Sequence, residues 1–400
     1  MVPATTVSQH ESQSDRQRRF PWCLPPGPTP AIPRKGVLVS DRQLEPISPK
    51  EAIDWYLEHR HDELREATRR THRSGLNIFR TWAEEEGLDN LNDLSGRNLV
   101  AFKTWRKSET DLNTVRLNGT LGVVQRFLRF CETIDAIDEG LAEKVPLPNV
   151  PPGEEVKTEV PEDEQVKAIR DYYDRFEYGS RRHAEFELIA EVGIRLGAVR
   201  AIDIEDVDLE RLVIHLQHRP ENPDVYGTPM KNGFDGERII NISPGLTQLL
   251  DDYISHNRNG ATDQFDRNPL FTSYRGRVST TTIRRDFYKL SRPCEYEPGC
   301  SHGREVEECE ATHSKQAQSC PSSFTTHPLR KWSIMSQLDA GVSKEILSDR
   351  VDVSVPILDK HYDQRSEERK SIRRREELEA NLEQYAMTDG GQVIEENDEG

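Results

Sequence analysis

His327-Pro328-Leu329-Arg330 is the most informative segment of this chain, and Tyr362 follows it by 32 positions in the run Leu358-Asp359-Lys360-His361-Tyr362. A lone H-x-x-R arises often by chance. It gains weight from an arginine held between glycines upstream, Gly193-Ile194-Arg195-Leu196-Gly197, and from Lys231 at the head of the turn-rich run Lys231-Asn232-Gly233-Phe234-Asp235-Gly236. Guanidinium is permanently charged and forks onto paired oxygens. A phenol can act as a nucleophile and form a covalent intermediate. A lysine of lowered pKa or an imidazole can move protons. Arg195, Lys231, His327, Arg330 and Tyr362 thus make up a set able to break a phosphodiester without a metal or ATP.

On these motifs the chain resembles the tyrosine recombinase (phage integrase) family across residues 46 to 365, most specifically in the second half. The resemblance implies that Tyr362 attacks the scissile phosphate to give a 3′-phosphotyrosyl bond. It implies that Arg195 and Arg330 grip the non-bridging oxygens, that Lys231 protonates the leaving 5′ oxygen, and that His327 shuttles a proton or holds the phosphate. Val199, Ile202 and Asp206 fall where the family has a hydrophobic pair and an aspartate. Two positions depart from the pattern. Ala198 stands where the family has Glu, and Val353 stands nine residues before the tyrosine, where it has His or Trp; His361 is a candidate substitute.

Four hundred residues exceed one ordinary core, and 34% hydrophobic content is enough for globular domains if the apolar residues are patterned. No apolar run approaches the ~20 residues that span a bilayer, and prolines between Pro21 and Pro33 break up the N-terminus where a signal peptide would need an apolar core. The expectation is a cytoplasmic protein. A net charge of −17 runs against phosphate binding. Either the partner is not nucleic acid, or acidic residues coat the outer surface, as in halophiles, while basic residues line a groove. Clusters such as Arg65-Arg69-Arg70-Arg73, Arg181-Arg182, Arg284-Arg285 and Arg373 to Arg375 favour the second explanation.

Residues 1–45 are proline-rich and aperiodic, a disordered arm. Ser48-Pro49-Lys50-Glu51 is a capping box with proline at the first helical position. Four amphipathic runs follow, and the resemblance makes 46–143 a helical (SAM-like) DNA core-binding domain. Prolines mark 144–162 as a linker. The catalytic domain occupies 163–365. It includes alternating Leu212, Ile214 and Leu216 as one strand and Arg238 to Ile242 as a second, with Lys231 in the turn between. The fold class is therefore mainly α with a small antiparallel β-sheet. Residues 366–400 read as a charged helix and a disordered tail. The helix, Glu367 to Glu383, either packs on a neighbouring copy, as C-terminal segments of the family do, or is solvated.

Cys294, Cys300, Cys309 and Cys320, with His302 and His313, crowd into an insertion at 294–320. Thiols of a cytoplasmic chain are not normally oxidised, so a structural zinc held by four of the six is the sharper expectation; disulfides or free thiols are the plainer one. A cysteine-rich insertion ahead of H-x-x-R resembles haloarchaeal integrase-like proteins. The combined expectation is a site-specific recombinase, an integrase of a mobile element, working on double-stranded DNA attachment sites as a homotetramer, without a membrane and with no cofactor for catalysis. A type IB topoisomerase-like enzyme, a DNA-binding regulator with a weakened site and a zinc-stabilised interaction protein are the alternatives.

Overall fold

A computed structural model describes residues 44–109, 112–151, 160–220, 227–313 and 315–362, together with Ser371, Arg375, Leu378 and Glu379. The expected arm lies outside them but for Leu44 and Glu45, and the charged C-terminal stretch lies outside them but for those last four residues.

The first helix, α1 (Pro49–His59), starts at the expected capping box. The Ser48 hydroxyl accepts from the Glu51 N–H at 3.2 Å, and the Glu51 carboxylate accepts from the Ser48 N–H at 3.3 Å. With α2 (Glu66–Glu85), α3 (Gly96–Glu109) and α4 (Thr114–Thr133) it encloses one core. Its centre is aromatic: Phe79 lies 5.3 Å from Phe102 edge-on and 5.5 Å from Trp82, and all three are fully buried. Leu121, Val124, Phe127, Leu128 and Cys131 present the buried stripe of α4, as their helical spacing requires.

A second core gathers α5 (Asp163–Phe176), α6 (Arg181–Val192), α7 (Leu196–Ala201), α8 (Pro244–Asp252) and α9 (Thr280–Leu290) around a three-stranded sheet. Strands β1 (Val207–Asp208), β2 (Val213–Leu216) and β3 (Arg238–Asn241) are antiparallel in that order, with Ile214 opposite Ile240 and both buried. Leu212 does not join the strand: its φ of 57° puts it in the left-handed region, so the β1–β2 turn extends one residue further than alternation suggests. A small hairpin of β4 (Thr272–Ser273) and β5 (Gly276–Arg277) precedes α9, and α10 (Pro293–Tyr296) follows it. The chain closes with α11 (Thr326–Asp339), α12 (Lys344–Val351) and α13 (Val355–His361), which surround a third apolar cluster of Ile334, Leu338, Leu347, Val351, Val353, Leu358 and Tyr362.

Paired charges fix the chain that leaves α7. Asp206 accepts the backbone N–H of Asp203 at 2.8 Å and both terminal nitrogens of Arg219. Asp203 pairs with Arg277, which also reaches Asp263 at 2.8 Å and ties the β4–β5 hairpin to this segment. Arg277 and Asp203 side chains are each only 4% exposed. Removing one member of such a pair strands a buried charge. Asp203→Ala is therefore expected to cost about 3–5 kcal/mol in urea unfolding. Asp54→Ala, which breaks the solvent-exposed Lys50–Asp54 pair, should cost no more than about 0.5 kcal/mol. Equal effects would show that the Asp203 network is not under the constraint its burial implies.

Candidate active site

Arg330 enters the core one turn into α11 and is 2% exposed. Its Nη1 donates to the Gly193 carbonyl at 2.7 Å and its Nη2 to the Val351 carbonyl at 3.0 Å. Gly193 must be glycine here. It ends α6 at a φ of 71°, and a Cβ would stand 3.1 Å from the Ser333 hydroxyl and 3.3 Å from Ile334. This turn delivers Arg195 two residues later. Burial pushes the Arg330 guanidinium below the usual arginine range, and the Tyr362 phenol partly offsets it.

Tyr362 follows α13 directly, its N–H still bonded to Leu358 at 2.9 Å. Its ring packs in the third apolar cluster, 7% exposed. The hydroxyl accepts from the Arg330 Nε at 3.5 Å, a long contact, and the guanidinium lies 5.8 Å from the ring centroid. The His327 ring stands edge-on to Tyr362 with centroids 6.3 Å apart. Three of the five expected residues thus meet directly. Val353 is buried in the same cluster and brings no polar atom, so the position nine residues before the tyrosine supplies packing alone.

Arg195 joins through an intermediary that sequence inspection overlooked. Its Nη1 pairs with the Asp352 carboxylate and its Nη2 donates to the Asp352 carbonyl at 2.6 Å. The other carboxylate oxygen of Asp352 accepts from the Asn232 side-chain amide at 2.7 Å. Lys231 itself is exposed; it is linked to this group through Asn232, and its carbonyl accepts from Arg65 at 2.6 Å. Arg238, also overlooked, donates from Nε to the Arg350 carbonyl at 2.9 Å. Burial pushes its guanidinium down to about 10, against the pull of Asp352 and with the push of Arg330 and Arg195. A residue at the helix C-terminus that is Asp where glycine or Asn is usual was the available sign of Asp352; nothing in the sequence marked Arg238.

Among the described residues no three His, Cys, Asp or Glu side chains group so as to hold a metal ion, and Cys294, Cys300, Cys309 and Cys320 are all free thiols. Short turns at Val306–Glu308, Glu310–Thr312 and Ala317–Ser319 carry the chain through the insertion. His302 bonds Ser322 at 3.0 Å, and Cys309 faces Arg304 at 3.9 Å while His313 stays on its own exposed turn. Burial raises the Cys294 thiol, with Cys320 and Cys300 as electrostatic neighbours.

No family model matches the chain. The tyrosine recombinase XerC of Chlamydia trachomatis is 25% identical over 171 residues, which cover 42% of this chain and 48% of that protein. The chain thus spans about half the length of the curated relatives it matches first. Among solved structures, the N-terminal domain of a phage integrase/site-specific recombinase from Haloarcula marismortui is 35% identical, with 26% of this chain and 99% of that one covered and a TM-score of 0.25. The Tn1549 transposon integrase in complex with a circular intermediate DNA superposes with a TM-score of 0.61 at 15% identity, over 82% of this chain and 99% of that one. The last of these shares the fold. Taken with the curated relatives and with the arginine–tyrosine contact between α11 and α13, it leaves one assignment: the chain belongs to the tyrosine recombinase family.

Proposed function

We propose that this chain is a site-specific recombinase that cleaves and rejoins duplex DNA through a phosphotyrosine at Tyr362. The observation that carries the proposal is the contact of the Arg330 Nε with the Tyr362 hydroxyl, made by a guanidinium whose other nitrogens are anchored on backbone carbonyls. A fixed cation at this point stabilises the negative charge that builds on phosphorus as the phenol oxygen attacks.

In the reaction, the Tyr362 oxygen attacks phosphorus and its proton passes to His327. The bond from phosphorus to the 5′ oxygen breaks, and that oxygen takes a proton from Lys231. Arg195 and Arg330 bind the non-bridging oxygens. Because one phosphodiester replaces another, a 5′ hydroxyl from a second strand reverses the step without an energy source. The helical unit of α1 to α4 is the core-binding partner of this reaction, with Arg70, Arg73 and Arg116 facing phosphates. Four copies on paired attachment sites, a mobile genetic element and a salt-rich cytoplasm complete the proposal; the charge of −17 supports the last.

Tyr362→Phe is expected to abolish covalent adducts with a pool of randomised duplex DNA while DNA retention on a filter stays within a few-fold. Adducts persisting in the variant would assign the nucleophile elsewhere. Relaxation of a single supercoiled circle without exchange between two sites would instead mark a type IB topoisomerase-like enzyme, and binding without any adduct a regulator.

Lys231 is tested by replacing the leaving 5′ oxygen with sulfur. A thiolate departs without an acid. Lys231→Ala should therefore cleave the sulfur substrate nearly as fast as the parent while losing ~100-fold or more on the oxygen substrate. Equal losses on both would make Lys231 a DNA-gripping or structural residue.

A further inference from the structure

Three successive carbonyls at the C-terminal end of α12 each hold a different arginine. The Arg350 carbonyl accepts from Arg238 at 2.9 Å, that of Val351 from Arg330 at 3.0 Å and that of Asp352 from Arg195 at 2.6 Å. A helix leaves its last carbonyls without intrahelical partners, and they form the negative end of its dipole. Here that end is used to align cations. Asp352 adds a full charge at the same point. Its backbone is left-handed, with φ 55° and ψ 56°, a conformation that costs most side chains roughly 1–2 kcal/mol and that Asp and Asn tolerate best after glycine. From there one carboxylate oxygen pairs with Arg195 and the other accepts from Asn232, the neighbour of Lys231.

We infer that Asp352 is a positioning residue, whose carboxylate fixes the Arg195 fork and draws the Lys231 turn against it. The inference rests on the strand-cleavage function proposed above. Each arginine follows one design: Arg330 is anchored by carbonyls on two nitrogens and turns its Nε to Tyr362, and Arg195 is anchored by Asp352 on two nitrogens and keeps its remaining N–H groups for a ligand. Without the carboxylate, Arg195 keeps only the carbonyl contact and is free to swing, and Asn232 loses its tie. The charge of Asp352 also weakens the field that Arg195 offers a phosphate. Positioning outweighs that loss, because the side chains are only 26% and 14% exposed and an unanchored guanidinium would have several alternative carboxylates nearby, among them Asp235, Glu237 and Asp349.

The test uses duplexes that the full wild-type chain captures as covalent adducts from a randomised, nicked pool. They are resynthesised with either an ordinary phosphate or a methylphosphonate at the cleaved position. Asp352→Gly keeps the left-handed backbone and the carbonyl while removing the carboxylate; Asp352→Asn keeps the shape and removes the charge. Asp352→Gly is expected to cleave the phosphate duplex about 100-fold more slowly, the scale of a misplaced group. On the neutral methylphosphonate, which offers Arg195 no charge to neutralise, its deficit should shrink to a few-fold. Asp352→Asn should fall between parent and glycine variant, and it carries the test if the glycine variant melts below the assay temperature. Equal deficits on both substrates, no deficit, or faster cleavage of the phosphate duplex would each overturn the positioning role; the last would mean that Asp352 competes with phosphate for Arg195. A wild-type chain that captures no member of the pool would overturn strand cleavage itself, and the inference with it.

Discussion

The site is organised by the frayed end of one short helix. Alpha helices terminate with carbonyls that must find donors, and in α12 those donors are Arg238, Arg330 and Arg195. The three arginines come from β3, α11 and the turn ahead of α7, far apart in sequence, so a single helix end sets their mutual spacing. Burial first, and like charges at close range second, lower the proton affinity of half-buried Arg238 and buried Arg330. What offsets it is the helix dipole, the Asp352 carboxylate and the tight turn at Gly193, whose carbonyl takes the remaining nitrogen of Arg330.

The net charge of −17 and a site built of arginines are compatible, because net charge sums the whole chain whereas buried acids gather arginines locally. Arg219, Arg267 and Arg277 meet Asp203, Asp206 and Asp263, and Arg181 bridges Glu185 of its own helix to Asp286 of α9. Glu185 is fully buried, and burial raises its carboxyl to about 7 despite Arg181. Such pairs orient elements more than they stabilise the fold, since desolvation offsets much of the attraction. Solvent-facing acidity then says little about the local field where a ligand would sit.

Much of this was legible in the sequence. The capping box at Ser48, the apolar stripe of α4 and the alternation around Ile214 carry their own periodicity, so local rules place them. Motif spacing likewise picked out residues that the fold brings together, Arg330, Tyr362 and His327. What was not legible depends on long-range geometry. Asp352 matters because a left-handed helix end aims it at Arg195, 157 positions away, and no local pattern encodes that meeting. Leu212 looked like a strand residue because its hydrophobicity fits the alternation, whereas its backbone serves the turn. The cysteine count suggested convergence, and which side chains meet in that turn-rich segment depends on its backbone path, which local spacing does not encode.

The two helical units are joined at the Lys231 turn as well as by the chain between them. Arg65, at the start of α2, donates to the carbonyls of Met230 at 2.8 Å and Lys231 at 2.6 Å. The same turn reaches Asp352 through Asn232, and Asp352 holds Arg195. A continuous set of polar contacts therefore runs from the first residues of α2 to Arg195. Beside Arg65 on this helix stand Arg69, drawn inward to Glu66, and the exposed Arg70 and Arg73. A polyanion gripped by the exposed pair would act on the element whose end holds the Lys231 turn. Two hydrogen bonds thus set the start of α2 against the backbone of the Lys231 turn, and they involve side-chain and main-chain groups outside both apolar cores.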